Sequence, residues 1–268
     1  MSNAHKPTIK AVFFDIDGTL YRKEAQYLPS SLAPALKALK AAGVLVGIAT
    51  GRSACALPEA VVDLIKEVGI EALITTNGQC VQYQGRTLFI ESIDKQAIEK
   101  MLPVVRAQGL HYGLVSNERI ATSSDHECVQ KALRYIADFS VEPDYYLEHD
   151  VQQILLFAEE EFKASLMDLP EFAGFKLIAW RHNAVDLLPK EASKIRGITV
   201  ILEQLGLSAE EIMTFGDGFN DLEMIEFSGV GVAMADGQPE LLAVADVVAP
   251  TLEEDGIAKV LIEQGLID

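Results

Sequence analysis

An α/β fold, a doubly wound parallel sheet carrying an inserted α+β segment, is predicted by three features of this sequence. Short apolar runs alternate with helix-length amphipathic segments near the start of the chain, and the same rhythm returns near its end. Between the two, from Val81 to about Asp186, the strand-like stretches are longer and pair more locally. The chain has 268 residues, 49% of them apolar and 23% charged, enough for a substantial core in one large domain or two modest ones.

The first rhythm runs strand, helix, strand, helix, strand. Ile9 to Asp15 is a buried-strand run, and Ser30 or Ser31 can cap a helix through Ala42 that Gly43 stops. Val44 to Thr50 (VLVGIAT) is a second strand, Pro58 to Val68 a helix and Ala72 to Thr75 a third strand. Late in the chain, Lys194 to Leu205 reads as a helix, Glu211 to Gly216 as a strand and Asp221 to Phe227 as a helix. Strands at Val230 to Ala233 and Asp246 to Ala249 follow. In the middle, VQYQGRTLFIES holds a Gln-Gly turn between two alternating stretches. Helices near Lys95–Gln108, Glu127–Phe139 and Glu160–Met167 interleave there with strands near Gly113–Ala121, Gln153–Ala158 and Lys176–Ala179. The expected organisation is therefore a core of residues 1–80 and 188–268 interrupted by an α+β insertion over 81–187.

Charge narrows the function classes. The net charge of −18 argues against nucleic acid, whose binders need a basic face, and against an anionic membrane surface. No apolar run reaches the roughly 18 residues of a membrane span, and MSNAHKPTIK lacks a signal-peptide core. Cys55, Cys80 and Cys128 are far apart and odd in number, which reads as reduced thiols in a cytoplasmic protein. The five histidines show no metal-binding spacing.

The stretch Ala11 to Leu20, AVFFDIDGTL, runs four apolar residues directly into two carboxylates. Burying an unpaired carboxylate costs on the order of several kcal/mol, so a cation is expected beside it. Asp15, Thr50 and Asp217 each end or directly follow a strand-like run, and in a doubly wound sheet the ligand crevice lies at those strand ends. Asp15 is placed to act as a nucleophile toward phosphorus, and Asp17 to protonate a leaving oxygen and then deprotonate water. Thr50 and Gly51 offer a hydroxyl and amides to phosphoryl oxygens, and Lys194 sets a point charge at a helix start after Ser193. Asp217 and Asp221 add carboxylates that suit Mg²⁺, and Asn220 is a positioning group. Each piece alone is most often an ordinary turn or helix cap; their joint occurrence at strand ends carries the reading. Near the end of the insertion, Trp180-Arg181-His182 joins the only tryptophan to two groups able to bind anions, a candidate for substrate specificity.

D-I-D-G-T-L, I-A-T-G-R, a downstream lysine and G-D-G-F-N-D-L-E-M together resemble the four motifs of the haloacid dehalogenase-like superfamily. The long insertion resembles the α/β cap of its Cof-like hydrolase branch, as do T-T-N-G at 75–78, V-A-M at 232–234 and E-D-G-I-A at 254–258. The resemblance implies a Rossmann-like core with a cap, and a Mg²⁺-dependent phosphatase acting on a small phosphorylated metabolite through an aspartyl-phosphate. It implies Asp15 as nucleophile, Asp17 as acid and base, and Thr50, Lys194 and Asn220 around the phosphoryl group. Asp15, the Asp17 carbonyl and Asp217 would hold Mg²⁺, with Asp221 as a ligand or directly behind them. A phosphomutase on a sugar phosphate and a non-catalytic phosphometabolite sensor are the alternatives. Three departures from the branch stand out: Phe219, Ala235-Asp236-Gly237, and the glycine after the motif lysine displaced to Gly197. Lys190 is the rival to Lys194.

Overall fold

The computed structural model describes residues 8–157, 165–181 and 183–268. Two compact units divide them: Met1–Gly51, Glu59–Phe89 and Ser193–Asp268 form one, Arg52–Pro58 and Ile90–Ala192 the other.

The first unit is built on an eight-stranded sheet. Its centre is β1 (Ala11–Phe14), between β2 (Leu45–Ala49) and β12 (Ile212–Gly216), parallel to both. The four residues of β1 are wholly buried, as a continuous apolar run requires when both sheet faces are covered. On one side β3 (Ala72–Thr75) continues the parallel order; on the other, β13 (Val230–Met234) and β14 (Val247–Ala249) do. Helices α1 (Leu32–Ala41) and α2 (Glu59–Val68) carry the crossovers of the early strands. Ser31 precedes α1 as expected, but its side chain makes no cap bond and hydrogen-bonds Asp255 instead.

The Gln-Gly turn forms as read: Gln84 and Gly85 both have positive φ, the pairing of a type I′ hairpin. Its strands, β4 (Cys80–Tyr83) and β5 (Arg86–Ile90), do not open the insertion, however. They lengthen the main sheet, β4 lying antiparallel to β3, and the full order is β14-β13-β12-β1-β2-β3-β4-β5. Apart from Arg52–Pro58, the second unit runs from Ile90 to Ala192.

The second unit is an α+β layer with a six-stranded sheet of its own. The stretch 113–121, expected as one strand, folds into a hairpin of β6 (His111–Val115) and β7 (Ile120–Thr122), because Ser116 closes a turn back onto Arg119. Strand β9 (Gln153–Phe157) is central, and its alternate residues feed two apolar clusters. Ile154 and Leu156 pack with α3 (Lys95–Ala107), Leu155 and Phe157 with α4 (Glu127–Leu133). Helix α4 ends at Leu133 rather than Phe139, and Ile136 and Phe139 reach the second cluster from the turn beyond it. Strand β10 (Phe175–Arg181) runs past Ala179 and pairs with β11 (Ala184–Pro189), a strand the sequence pattern did not reveal; the short β8 (Ser140–Val141) pairs with β7. The order across this sheet is β10-β11-β9-β6-β7-β8. Most of the helix expected at 160–167 lies outside the described residues.

Candidate active site

Because β1, β2, β3 and β12 are parallel, their carboxyl ends share one edge of the sheet. Asp15 follows β1 directly, and its amide bonds the Phe215 carbonyl at 2.9 Å. Thr50 follows β2, its amide on the Ile74 carbonyl at 2.9 Å and its carbonyl taking the Asn77 amide at 3.0 Å. Asp217 follows β12. The three motifs meet as the strand pattern predicted.

Lys194 begins the next helix, α5 (Lys194–Leu205), which Ser193 caps by accepting from the Arg196 amide at 3.2 Å. Its Nζ lies 2.6 Å from Asp15 Oδ1 and 2.5 Å from Asp221 Oδ1, with the side chain fully buried. Burial opposes its charge, but the two carboxylates overcome that and hold the pKa above the ordinary lysine range. Lys190 is exposed, so Lys194 is the lysine of this site.

Asp221 is fully engaged. Its Oδ1 takes Lys194 and its Oδ2 accepts from the Asp217 and Gly218 amides at 3.0 and 2.9 Å. It therefore clamps the loop that presents Asp217, just after the strand and just before the helix α6 (Leu222–Phe227). Asp217 is approached by the Thr19 hydroxyl at 3.4 Å and by Gly18. Gly18 sits at φ +88°, and a Cβ there would come 2.1 Å from Asp217 Oδ2, so both the backbone turn and the space demand glycine. Asp17, half-buried, bridges to Tyr21 in the same tight loop.

Electrostatics answer the oddity of AVFFDIDGTL. Three carboxylates, Asp15, Asp217 and Asp221, bring oxygens within 4.8 Å of one another and could hold a metal ion. One buried lysine answers them. Burial, then repulsion from Asp221 and Asp17 against the pull of Lys194, lifts Asp15 to about 7. Burial, Asp15 and Asp221 lift Asp217 to about 8. An all-oxygen, net-negative, buried donor set is what a hard divalent cation fits.

One site residue escaped the motif reading. Asn77 accepts from Asn220 Nδ2 at 3.2 Å, and its own Nδ2, buried, has no hydrogen-bond partner. A Cβ on Gly51 would meet that Nδ2 at 3.2 Å, so the amide stands beside the Thr50–Gly51 turn. Thr76 and Asn77 both adopt positive φ, 53° and 50°, a strain that an Asn tolerates better than most residues. The signal was T-T-N-G itself, whose Gly78 could carry no Cβ without striking the Ser193 carbonyl.

The departures also find places. Gly197 lets α5 lie against β3, since a Cβ would meet Ile74 at 2.3 Å. Asp236 pairs with Arg22 at 2.6 Å, and Arg22 also bonds Glu253. Phe219 is exposed. Trp180 lies within β10, partly buried against the second unit's α4-side cluster, and its indole N–H has no partner. His182 and the Arg181 side chain lie outside the described residues.

A buried nucleophile-type aspartate, a lysine across from it and acidic groups at one strand-end edge define a phosphoryl-handling hydrolase class. The family model of the haloacid dehalogenase-like hydrolases matches residues 12–261, and the chain belongs to that family, as a phosphatase of its Cof-like branch. It is 34% identical over 262 residues to YkrA of Bacillus subtilis, a protein named as a phosphatase, covering 96% of this chain and 98% of that one. A Streptococcus pyogenes protein, named as a bifunctional phosphatase and peptidyl-prolyl cis-trans isomerase, is 36% identical over 264 residues, 97% of this chain; this chain spans only 55% of that relative's length. Among solved structures, the subclass IIB sugar phosphatase BT4131 superposes with a TM-score of 0.87 at 30% identity, over 96% of this chain and 100% of that one. Among the described residues no helix is long and apolar enough to cross a membrane.

Proposed function

We propose that this chain is a Mg²⁺-dependent phosphatase that hydrolyses a small phosphorylated metabolite through an aspartyl-phosphate on Asp15. The observation that carries this reading is the buried Asp15–Lys194–Asp221 array with Asp217 beside it. Asp15, the Asp17 carbonyl and Asp217 would hold Mg²⁺, with Asp221 fixing the Asp217 loop behind them. When bound there, Mg²⁺ supplies positive charge to the carboxylates and to the phosphoryl oxygens.

Asp15 attacks phosphorus, forming the acyl-phosphate bond as the ester oxygen leaves, and Asp17 gives that oxygen its proton. Asp17 then takes a proton from water, whose oxygen bonds phosphorus while the bond to Asp15 breaks. Free phosphate leaves and Asp15 is restored. Lys194, Thr50, Gly51 and Asn220 hold the phosphoryl oxygens, stabilising charge where it is spread in a loose transition state. Asn77, through its unpaired amide, joins Asn220 in that task. Recognition of the leaving group is assigned to Trp180, Arg181 and His182.

Phosphate release from an aryl phosphate tests the scheme. Asp15→Asn should lower kcat by at least about a thousandfold, since an amide is a poor nucleophile and a weak ligand. Excess EDTA should silence the wild type. Activity that survives either treatment overturns the mechanism, and a sugar monophosphate isomerised without phosphate release would indicate a mutase instead.

A further inference from the structure

The second unit gathers a metal-ligating group of its own. His111, His126 and Cys128 each offer one ligand atom, all within 4.8 Å of one another. Their sequence positions conceal this, because strand pairing creates it. His111 opens β6, β7 pairs back along β6 with Gly113 opposite Thr122, and the chain leaving β7 reaches the start of α4 within four residues. His126 is the residue that caps α4, and Cys128 stands two positions on.

We propose that His111, His126 and Cys128 form a second metal site, for a borderline divalent cation of the Zn²⁺ type, that fastens the start of α4 to β6. The donor set is two imidazoles and a thiolate, which favours such cations over Mg²⁺. Tetrahedral zinc with its usual Zn–N and Zn–S lengths spaces ligand atoms by roughly 3.4–3.6 Å. His126 Nδ1 and Cys128 Sγ are already 3.2 Å apart, and an ion there would take over the Nδ1 lone pair that now accepts the Cys128 amide at 3.3 Å. His126 is exposed and Cys128 half-buried, so small side-chain rotations can bring in the third ligand atom.

Support for the ligands is also built. The Ser124 hydroxyl lies 2.9 Å from His111 Nδ1, the kind of partner that fixes a ligand ring through its other nitrogen. The two imidazoles stack, centroids 4.4 Å apart and planes within 17°, and must tilt apart for the in-plane lone pairs of both to meet one ion. Burial and the neighbouring His126 lower the His111 pKa. Burial raises the Cys128 thiol, so the cation must displace a proton: the S–H bond breaks, the metal–sulfur bond forms and H⁺ is released. Three protein ligands leave a fourth position for water or a small ligand.

Co²⁺ reports a thiolate ligand by charge-transfer absorption in the near ultraviolet, which the carboxylates of the first unit cannot produce. The full chain, stripped by chelator and kept in millimolar Mg²⁺, is titrated with Co²⁺ alone. A band saturating at a single equivalent and bleached by Zn²⁺ is expected. Ser124→Ala should weaken Co²⁺ affinity by about 10- to 100-fold, and Cys128→Ser should abolish the band. Both variants should keep Mg²⁺-dependent phosphate release, which certifies their fold; His111→Gln serves where Cys128→Ser fails that check and should also lose the band. No band in the wild type, or a band that survives these ligand substitutions, overturns the proposal.

Discussion

Asp15 and Asp17 stand two residues apart in unlike surroundings, which suit the unlike tasks proposed for them. Asp15 is sealed in and faces Lys194, as a nucleophile held in one orientation should be, whereas Asp17 sits half-buried in the loop made by Gly18. If Asp17 supplies the proton to the leaving oxygen, Asp17→Asn should damage alkyl phosphates far more than aryl phosphates, which leave without help. A difference of at least about tenfold in the loss of kcat/KM is expected; equal losses would remove Asp17 from that role. The raised carboxyls make a second residue-scale prediction. With Asp15 raised to about 7 and Asp217 to about 8, a cation must displace protons that these carboxyls partly hold near neutral pH. Mg²⁺ affinity should therefore climb as pH rises through 7 and 8 and level off above. Calorimetry in buffers of different ionisation enthalpy would count the protons released, and an affinity flat from pH 6 to 9 would contradict the cation's placement.

At the scale of elements, close backbone contact decides where the lysine goes. Helix α5 lies against β3 because neither Gly197 nor Gly78 carries a side chain there, and that contact sinks Lys194 among the carboxylates. The second unit's sheet holds its own buried acid. Asp186 of β11 faces Ile178 and Leu155 across the sheet, and burial lifts it to about 8. Gln153 and Trp180 pull it down only in part; the indole lies near without an aligned hydrogen bond. A folded pKa above the unfolded one gives stability that is full below about pH 4 and drains away as pH rises toward 8. Asp186→Asn abolishes that dependence. The variant should equal the wild type in thermal midpoint near pH 4 and exceed it near pH 8. The gap in stability there should reach a few kcal/mol, since each tenfold change in proton affinity is worth about 1.4 kcal/mol. A difference constant over that range would mean that Asp186 is ionised in the fold.

For the whole molecule, each unit holds apolar clusters of its own among the described residues, so binding energy delivered to one need not stiffen the other. Mg²⁺ at about a hundred times its Kd should add about 2.7 kcal/mol to the stability of the state that binds it. Hydrogen exchange should slow in β1, β12 and the start of α5, while the amides of β9 and β11 keep their rates. Equal protection of both sheets would show one cooperative unit. If the chain takes an anionic substrate as proposed, its net charge of −18 leaves the buried Lys194 and the expected cation to offset the repulsion.

The sequence by itself determined the strand-end motifs, the parallel order of the central strands and the family, because apolar runs and the residues that end them are local patterns. It also determined the Gln-Gly turn and the helix from Lys194 to Leu205, whose caps lie within a few residues. Only the tertiary structure decided which sheet the hairpin after Thr75 joins, since either sheet could accept its edge. It buries Lys194, which the Ser-Lys context already favoured over Lys190, and it alone made Asp221 a clamp on the Asp217 loop and placed Asn77 beside Gly51. The hairpin at 111–122 and strand β11 were hidden for the same reason, and with them the meeting of His111, His126 and Cys128. These outcomes depend on register and close packing between segments far apart in the chain, and no local pattern encodes either.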